Sequence, residues 1–358
     1  MRTPLLSVIV PVYQGETILP KSLAALAASD YRRDRWELIV VDDASTDGTA
    51  EIAAKWADRV VRLAGRPHGP GFARNRGVEA SRGAWVVFID ADVVVHADTL
   101  RRFVMVMEDD PGIDAVFGSY DDAPPAPDFL SQYRNLLHRY VHLEGAGKAD
   151  TFWAGCGAVS RPAFLAAGGF NERRYIRPQI EDIELGYRLL DNGGRIVLSP
   201  VIQGAHHKRW RFWGSVRTDL FDRGIPWVRL LLERGGLGRR ANLNLKHGER
   251  IKTAFVGLAF VLLGVAILWR RPEPAFGGAI LLLAVVLSNL PLVVWFARRR
   301  GPLFALAVVP LNVWYYVLSG LAVVFGFGLH LVSGSPAVKR QDSAGMALDA
   351  GRRHSAHE

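Results

Sequence analysis

The run Ala84-Trp-Val-Val-Phe-Ile-Asp-Ala-Asp92 constrains the fold of this chain more than any other stretch. Trp85 to Ile89 is apolar throughout rather than alternating, the pattern of a strand covered on both faces in a parallel sheet. The run then ends in two carboxylates separated by one small residue. Open parallel sheets bind ligands just beyond the carboxyl ends of their strands, so Asp90 and Asp92 would stand at the binding edge. Two hard oxygen ligands there could hold Mg²⁺ or Mn²⁺, and the ion could hold a diphosphate. An isolated Asp-x-Asp can equally well solvate a turn, and the rest of the chain decides between the two.

Upstream, Leu5 to Val12 and Glu37 to Asp43 read as buried strands, and Arg59 to Leu63 as a short third one. Helical spacing runs from Glu16 to Ala28, from near Thr49 behind the turn Ala44-Ser-Thr-Asp-Gly48, and from Phe72 to about Ala80. Downstream, Ala97 to Glu108 is helical, Asp114 to Tyr120 a strand, and Phe129 to Leu143 a helix carrying His138, Arg139 and His142. Phe152 to Val159 is a glycine-containing strand or loop. Phe164 to Phe170 is a helix with a glycine stop, Ile180 to Leu190 an acidic helix, and Arg195 to Pro200 a last short strand. Strands alternating with helices at this spacing predict an α/β fold with a doubly wound, mostly parallel sheet.

Residues 1–210 read as a soluble domain, and the character changes after them. From Arg211, Phe212, Trp213, Val216 and Leu220 recur at three- and four-residue intervals, with Arg211, Arg217, Asp219 and Arg223 elsewhere on the wheel. Pro226 interrupts this pattern and Trp227, Leu230 and Leu231 continue it. Aromatic residues beside arginines over 211–250 predict a segment in the membrane interface; an ordinary surface helix packed on the core is the alternative. Three apolar runs follow over 251–332, at about 253–269, 275–297 and 303–332, each long enough to span a bilayer. Three crossings would put Arg298-Arg-Arg300 on the same side as the soluble domain. The polar tail, 333–358, is predicted to be disordered, and its own cations argue mildly for an even number of crossings. The formal net charge of +9 is concentrated between Arg195 and Lys252, just before the first apolar run, which suits anionic headgroups better than a nucleic-acid groove. A single cysteine, Cys156, excludes an internal disulfide framework. The N-terminal apolar stretch is short and interrupted by Pro11, a core strand rather than a signal peptide. The soluble portion is therefore expected on the cytoplasmic face of a plasma or inner membrane.

Six motifs occur in series: Ser7-Val-Ile-Val-Pro-Val-Tyr13, Val41-Asp-Asp-Ala-Ser-Thr-Asp-Gly48, Ala73-Arg-Asn-Arg-Gly77, Ile89-Asp-Ala-Asp92, Gly168-Gly-Phe-Asn-Glu172 and Ile180-Glu-Asp-Ile-Glu-Leu-Gly-Tyr-Arg188. Over about residues 5 to 210 the chain resembles the family 2 glycosyltransferases of GT-A fold, and its C-terminal arrangement resembles their membrane-attached members. The resemblance implies an inverting enzyme that takes a nucleotide sugar as donor and a divalent metal, Mn²⁺ or Mg²⁺, as cofactor. By motif, Tyr13 would stack on the base beside Pro11, Asp43 would accept from that base, and Arg74 would approach base or diphosphate. Asp92 would ligate the metal, Asp90 would face the nucleotide, and His206 would complete the metal site, with His207 the neighbouring alternative. Asp182 would be the catalytic base. Glu181, Trp153, Gly155, Arg209 and Trp210 would lie on the acceptor side, with Gly157 shaping it.

Each residue also has a plainer reading. Tyr13 could simply end a strand, Asp43 could cap the next helix, and Arg74 could be a solvated helix residue. Glu181, Asp182 and Glu184 could merely favour a helix N-terminus. A free Asp titrates near pH 4 and is a weak base, so Glu181 and Glu184 would have to raise it against Arg188. Processive synthases of the family carry Gln-x-x-Arg-Trp where this chain has His206-His-Lys-Arg-Trp210, a departure that favours transfer of one or a few sugars. The reading is transfer from a donor, UDP-linked by expectation, to a hydroxyl of a lipid or lipid-linked glycan at the membrane. A polyprenyl-phosphate acceptor is the alternative within the class, and a catalytically silent membrane scaffold the alternative outside it. No Gly-x-Gly-x-x-Gly follows the first strand, which argues against a dinucleotide oxidoreductase, and no nucleic-acid motif is present.

Overall fold

A computed structural model describes residues 6–236 and 246–333. The tail assigned to 333–358 therefore falls, beyond Ser333, outside the described residues. Three strands with unbroken apolar runs form the middle of the sheet: β1 (Leu6–Val12), β2 (Trp36–Asp42) and β4 (Trp85–Ile89). β1 lies parallel between β2 and β4, and β3 (Arg59–Arg62) extends the parallel half beyond β2. Pairing with β4 ends at Ile9, so the missing amide hydrogen of Pro11 costs nothing on that side. Helices α1 (Leu19–Ala27), α2 (Thr49–Ala53) and α3 (Pro70–Glu79) connect these strands and sandwich the sheet.

Beyond β4 the sheet becomes mixed. β5 (Val93–Val95) and α4 (Thr99–Asp109) lead to β6 (Ala115–Tyr120), α5 (Phe129–Glu144) and the short β7 (Gly147–Lys148). β8 (Cys156–Ser160) runs antiparallel between β4 and β6, and the strand order is β3-β2-β1-β4-β8-β6-β9-β5, with β7 beside β9. α6 (Arg161–Ala166) and α7 (Glu181–Asp191) cover one face. The fold class holds, but β9 (Ile196–His206) is far longer than the strand expected to stop at Pro200. Its register against β6 slips between Leu198 and Gln203, and the Gln203 side chain donates to the Pro200 carbonyl at 2.9 Å. Proline is tolerated in a sheet at such a bulge, where it withholds no ladder hydrogen bond. The strand then resumes, and pairs Val93 with His206.

The segment from Arg211 packs on the core along one side and leaves aromatic side chains exposed on another. α8 (Phe212–Arg217), a π-helical turn (Thr218–Gly224) and α9 (Ile225–Glu233) form one bent rod. Trp213 and Phe221 face outward, 77% and 53% exposed, as an interfacial segment would. Leu230 and Leu231 instead pack against Tyr175, Ile180 and Tyr187, and Trp227 Nε1 donates to the Tyr187 hydroxyl at 2.9 Å. The boundary expected at residue 210 thus cuts through a continuous core.

Among the described residues, α10 (His247–Trp269) and α13 (Pro302–Ser333) are long and apolar enough to cross a membrane. The expected second span is instead two helices, α11 (Glu273–Ser288) and α12 (Leu290–Arg300), bent by 54°. The break falls at Asn289-Leu290-Pro291, where proline cannot continue the helix without losing a backbone bond. α12 packs on the domain: Leu292 and Phe296 meet Tyr133 and Leu136 of α5, and Arg299 pairs with Asp122 at 3.1 Å. The triple-arginine stretch therefore lies beside the sheet domain.

Candidate active site

The parallel strands deliver their acids as the opening pattern requires. β1, β2 and β4 end side by side, so Tyr13, Asp43 and Asp90 gather at one edge of the sheet. All three line a cavity of about 1460 Å³, which also takes in Pro11, Arg74, Asp92, Trp153, Glu181, Asp182, His206 and Trp210. Eleven of the thirteen residues singled out from sequence are thus brought together here. Gly155 and Arg209 are not among the lining residues.

Tyr13 stands half exposed on the cavity wall, free to meet a flat ligand. Asp43 is buried, and its carboxylate accepts from the backbone amides of His68 at 2.9 Å and Gly69 at 2.8 Å. It therefore holds down the loop that leads into α3. Arg74 is also buried: one Nη donates to Asp90 at 2.7 Å and the other to Glu181 at 3.0 Å, while its Nε has no partner among the described residues. Expected to approach base or diphosphate, Arg74 instead ties the end of β4 to the start of α7. Glu181 is occupied from both sides, since its second oxygen accepts from the Gln179 amide at 2.9 Å.

Asp92 meets His206 because β5 and β9 pair at Val93 and His206, and the His207 amide donates to the Asp92 carbonyl at 2.8 Å. The two histidines lie in different surroundings. His206 points inward, with Nε2 at 3.3 Å from Asp92 Oδ2, and His207 is not among the lining residues. The far side of the ring is fixed: His206 Nδ1 lies 2.7 Å from Asn135 Oδ1, an acceptor only, so Nδ1 carries the proton. Tyr120 stacks on the ring at 4.2 Å and 6°. Nε2 and the Asp92 carboxylate could hold one cation between them, and that carboxyl, although burial pushes it up, is held below its ordinary range by His206 and Lys208. Two donors at this separation suit adjacent positions on one octahedral ion, whose ligands at about 2.1 Å stand about 3 Å apart. Among the described residues no cluster of three or more such side chains occurs, which leaves the other positions to ligand oxygens.

Asp182 opens α7. Its Oδ2 accepts from the Ala154 amide at 3.2 Å, and burial, with the Glu181 charge next, raises its carboxyl to about 6. The opposing cation is Arg74 rather than Arg188, which is turned away into a pair with Glu184 at 2.7 Å. Trp153 packs against Tyr120, His138 and His142 and lines the cavity. Gly155 works from behind it: a Cβ there would come within 2.5 Å of the indole, so glycine admits the ring. A Cβ at Gly157 would fall 2.3 Å from the Trp153 carbonyl oxygen. Arg209 lies on the surface against Asp128, whereas Lys208, over the Trp210 ring at 4.2 Å, lines the cavity in its place. Asn135, Lys208 and Arg223 are site residues that sequence reasoning missed. For Asn135 a signal existed, since it precedes His138 and His142 on one face of α5.

Comparison with known proteins agrees with this architecture. Residues 7–165 match the model of Glycosyl transferase family 2. A glycosyltransferase of Haloferax volcanii, AglE, is 34% identical over 126 residues, covering 34% of this chain and 41% of that protein. The poly(ribitol-phosphate) β-N-acetylglucosaminyltransferase TarS of Staphylococcus aureus is 36% identical over 99 residues, covering 26% and 17%. The chain thus spans less than half the length of both relatives. The structure of the mannosyltransferase PcManGT from Pyrobaculum calidifontis, in complex with GDP-Man and Mn²⁺, superposes with a TM-score of 0.54 at 20% identity, covering 93% of this chain and 88% of that one. The fold and the ordered acids define a GT-A-type domain. Residues 7–165, somewhat under half of the chain, thus carry a domain that resembles those of glycosyl transferase family 2.

Proposed function

We propose that this protein is an inverting glycosyltransferase that moves a sugar from a nucleotide sugar to a hydroxyl of a lipid or lipid-linked glycan at the cytoplasmic face of a membrane. The observation that carries the reading is the placement of Asp182, a buried carboxyl raised to about 6, in the same cavity as Asp90, Asp92 and His206. A base with its pKa near neutrality balances basicity against the fraction ionised. The Asp182 carboxylate takes the proton of the acceptor hydroxyl as that oxygen bonds to the anomeric carbon. The bond from that carbon to the diphosphate breaks on the opposite side, so configuration inverts. Ala154 orients the carboxylate, and Arg74 holds Asp90 and Glu181 in register around it. Asp92 and His206 would hold a divalent cation, which when bound neutralises charge on the departing diphosphate. Tyr13 offers a face for the base. A UDP-linked donor is the proposal here, and the helices α10 and α13 support membrane attachment of the acceptor side.

The test is a nucleotide-sugar panel on the full-length protein in detergent, with and without Mn²⁺, read as thermal stabilisation. A donor at 100 times its dissociation constant adds about 2.7 kcal/mol. Stabilisation by one nucleotide sugar that disappears with EDTA and returns with Mn²⁺ is the expected result; no response to any donor removes the reading.

A further inference from the structure

The cavity does not end at the catalytic acids. It continues between α10 and α13, where Gly257, Phe260 and Val261 face Gly320 and Val324. Phe260, Val261 and Val324 line it and are each at least half exposed. Two glycines keep it open: a Cβ at Gly257 would meet nothing within 4 Å, and one at Gly320 only the Thr253 methyl at 3.9 Å. An apolar groove between two membrane-spanning helices that opens into a polar catalytic chamber has the shape required by an amphiphile.

The cations at the junction are not equivalent. Arg74, Arg134, Arg177 and Lys252 line the cavity already neutralised, by Asp90 and Glu181, Asp219, Asp222 and Glu249 respectively. Lys208 and Arg223 line it too, and among the described residues neither pairs with a carboxylate. Lys208 follows the end of β9, and Arg223 projects from the π-helical turn, a geometry that recurs at functional sites. That turn is seated by close packing, since a Cβ at Gly224 would fall 2.6 Å from Ala322 of α13. Arg223 is among the charges that favour the ionised Asp182 carboxylate, and both cations line the chamber that the groove enters.

Resting on the glycosyltransferase reading above, we infer that the acceptor is a lipid phosphate, whose chain lies in the groove floored by Gly257 and Gly320 and whose phosphate sits between Lys208 and Arg223. The phosphate is a handle in this arrangement. It is held to one side, and the hydroxyl that receives the sugar is left to Asp182. Phosphate oxygens in a part-dry cavity accept strong charge-assisted hydrogen bonds from the two donor types that Arg223 and Lys208 offer, a fork and a point charge.

The test uses the full-length protein in detergent micelles and three probes, geranylgeranyl monophosphate, geranylgeraniol and UDP, with affinities taken from thermal stabilisation. The isoprenyl phosphate is expected to bind, and the alcohol to bind about tenfold more weakly or worse, the weight of one charge-assisted bond. Arg223→Gln should lose about tenfold in affinity for the isoprenyl phosphate and little for UDP, with Arg223→Lys between the two. Gly257→Phe, at a position where a Cβ meets nothing within 4 Å, narrows the groove and should weaken both isoprenoids while sparing UDP. Unliganded melting of each variant at the wild-type temperature shows that it is folded. Equal binding of alcohol and phosphate would overturn the proposal. So would an Arg223→Gln that weakens UDP as much as the lipid, since the cations would then serve the donor diphosphate. A dimer that Gly257→Phe dissociates would make the groove a contact between copies and also overturn it. Failure of UDP to bind the wild type counts against the nucleotide-sugar reading alone, and so stays distinguishable from all of these.

Discussion

Asp182 places function and stability in opposition at a single atom pair. Its pKa is raised in the folded protein, from 3.8 to about 6, so the native state binds this proton more tightly than the unfolded chain. Its contribution to stability is therefore complete below about pH 4 and lost as pH rises through about 6. The base, in contrast, works only when ionised, and transfer should rise over the same interval. Asp182→Asn is expected to lower the rate by 10²–10⁴ or on that order while stabilising the protein near pH 8 by on the order of 2–3 kcal/mol; a pH–rate profile and urea melts of the pair measure both. Asn135 makes a second prediction at this scale. Its carbonyl fixes the proton on His206 Nδ1, so Asn135→Ala should weaken Mn²⁺ activation by about 10–100-fold without touching the metal. A Mn²⁺ titration of nucleotide binding reads this directly. The acids were legible in sequence because strand ends and acidic residues are both local signals. The engagement of Arg74 by Asp90 and Glu181 was not, since it joins residues 16 and 107 positions apart through the tertiary fold.

Among the elements, those dictated by unbroken apolar runs were read within a residue or two: β1, β2 and β4 follow from their composition alone. β5 and the outer half of β9 escaped because three valines and a stretch beyond a proline carry no strand signal until they find each other. Their pairing is nevertheless what brings Asp92 to His206, so the metal-facing edge depends on the least legible strands. The bend at Asn289-Leu290-Pro291 was hidden for the opposite reason, an apolar run long enough to be read as one span. Gly155, before β8, offers a test of how an element's entry shapes the site. Gly155→Ala forces the Trp153 indole out of its place against Tyr120, His138 and His142, and such overpacking costs about 1–3 kcal/mol. Denaturant unfolding should show that loss.

At the scale of the whole molecule, domain and membrane helices are not beads on a string. Tyr133 and Leu136 of α5 are buried by Leu292 and Phe296, and α9 contributes to the core around Tyr187. The groove between α10 and α13 opens into the same chamber as the sheet edge where a water-borne donor would dock. A catalyst built this way draws its two reactants from phases of different dimensionality, one dissolved in three dimensions and the other confined to a film. On the proposed reading, the spent nucleotide would leave to water and the glycosylated product sideways into the bilayer. Acceptor saturation should then follow mole fraction rather than molarity: diluting the acceptor with inert phospholipid, at constant bulk concentration, lowers the initial rate in proportion, whereas adding more vesicles of the same composition leaves it unchanged once all the enzyme is bound.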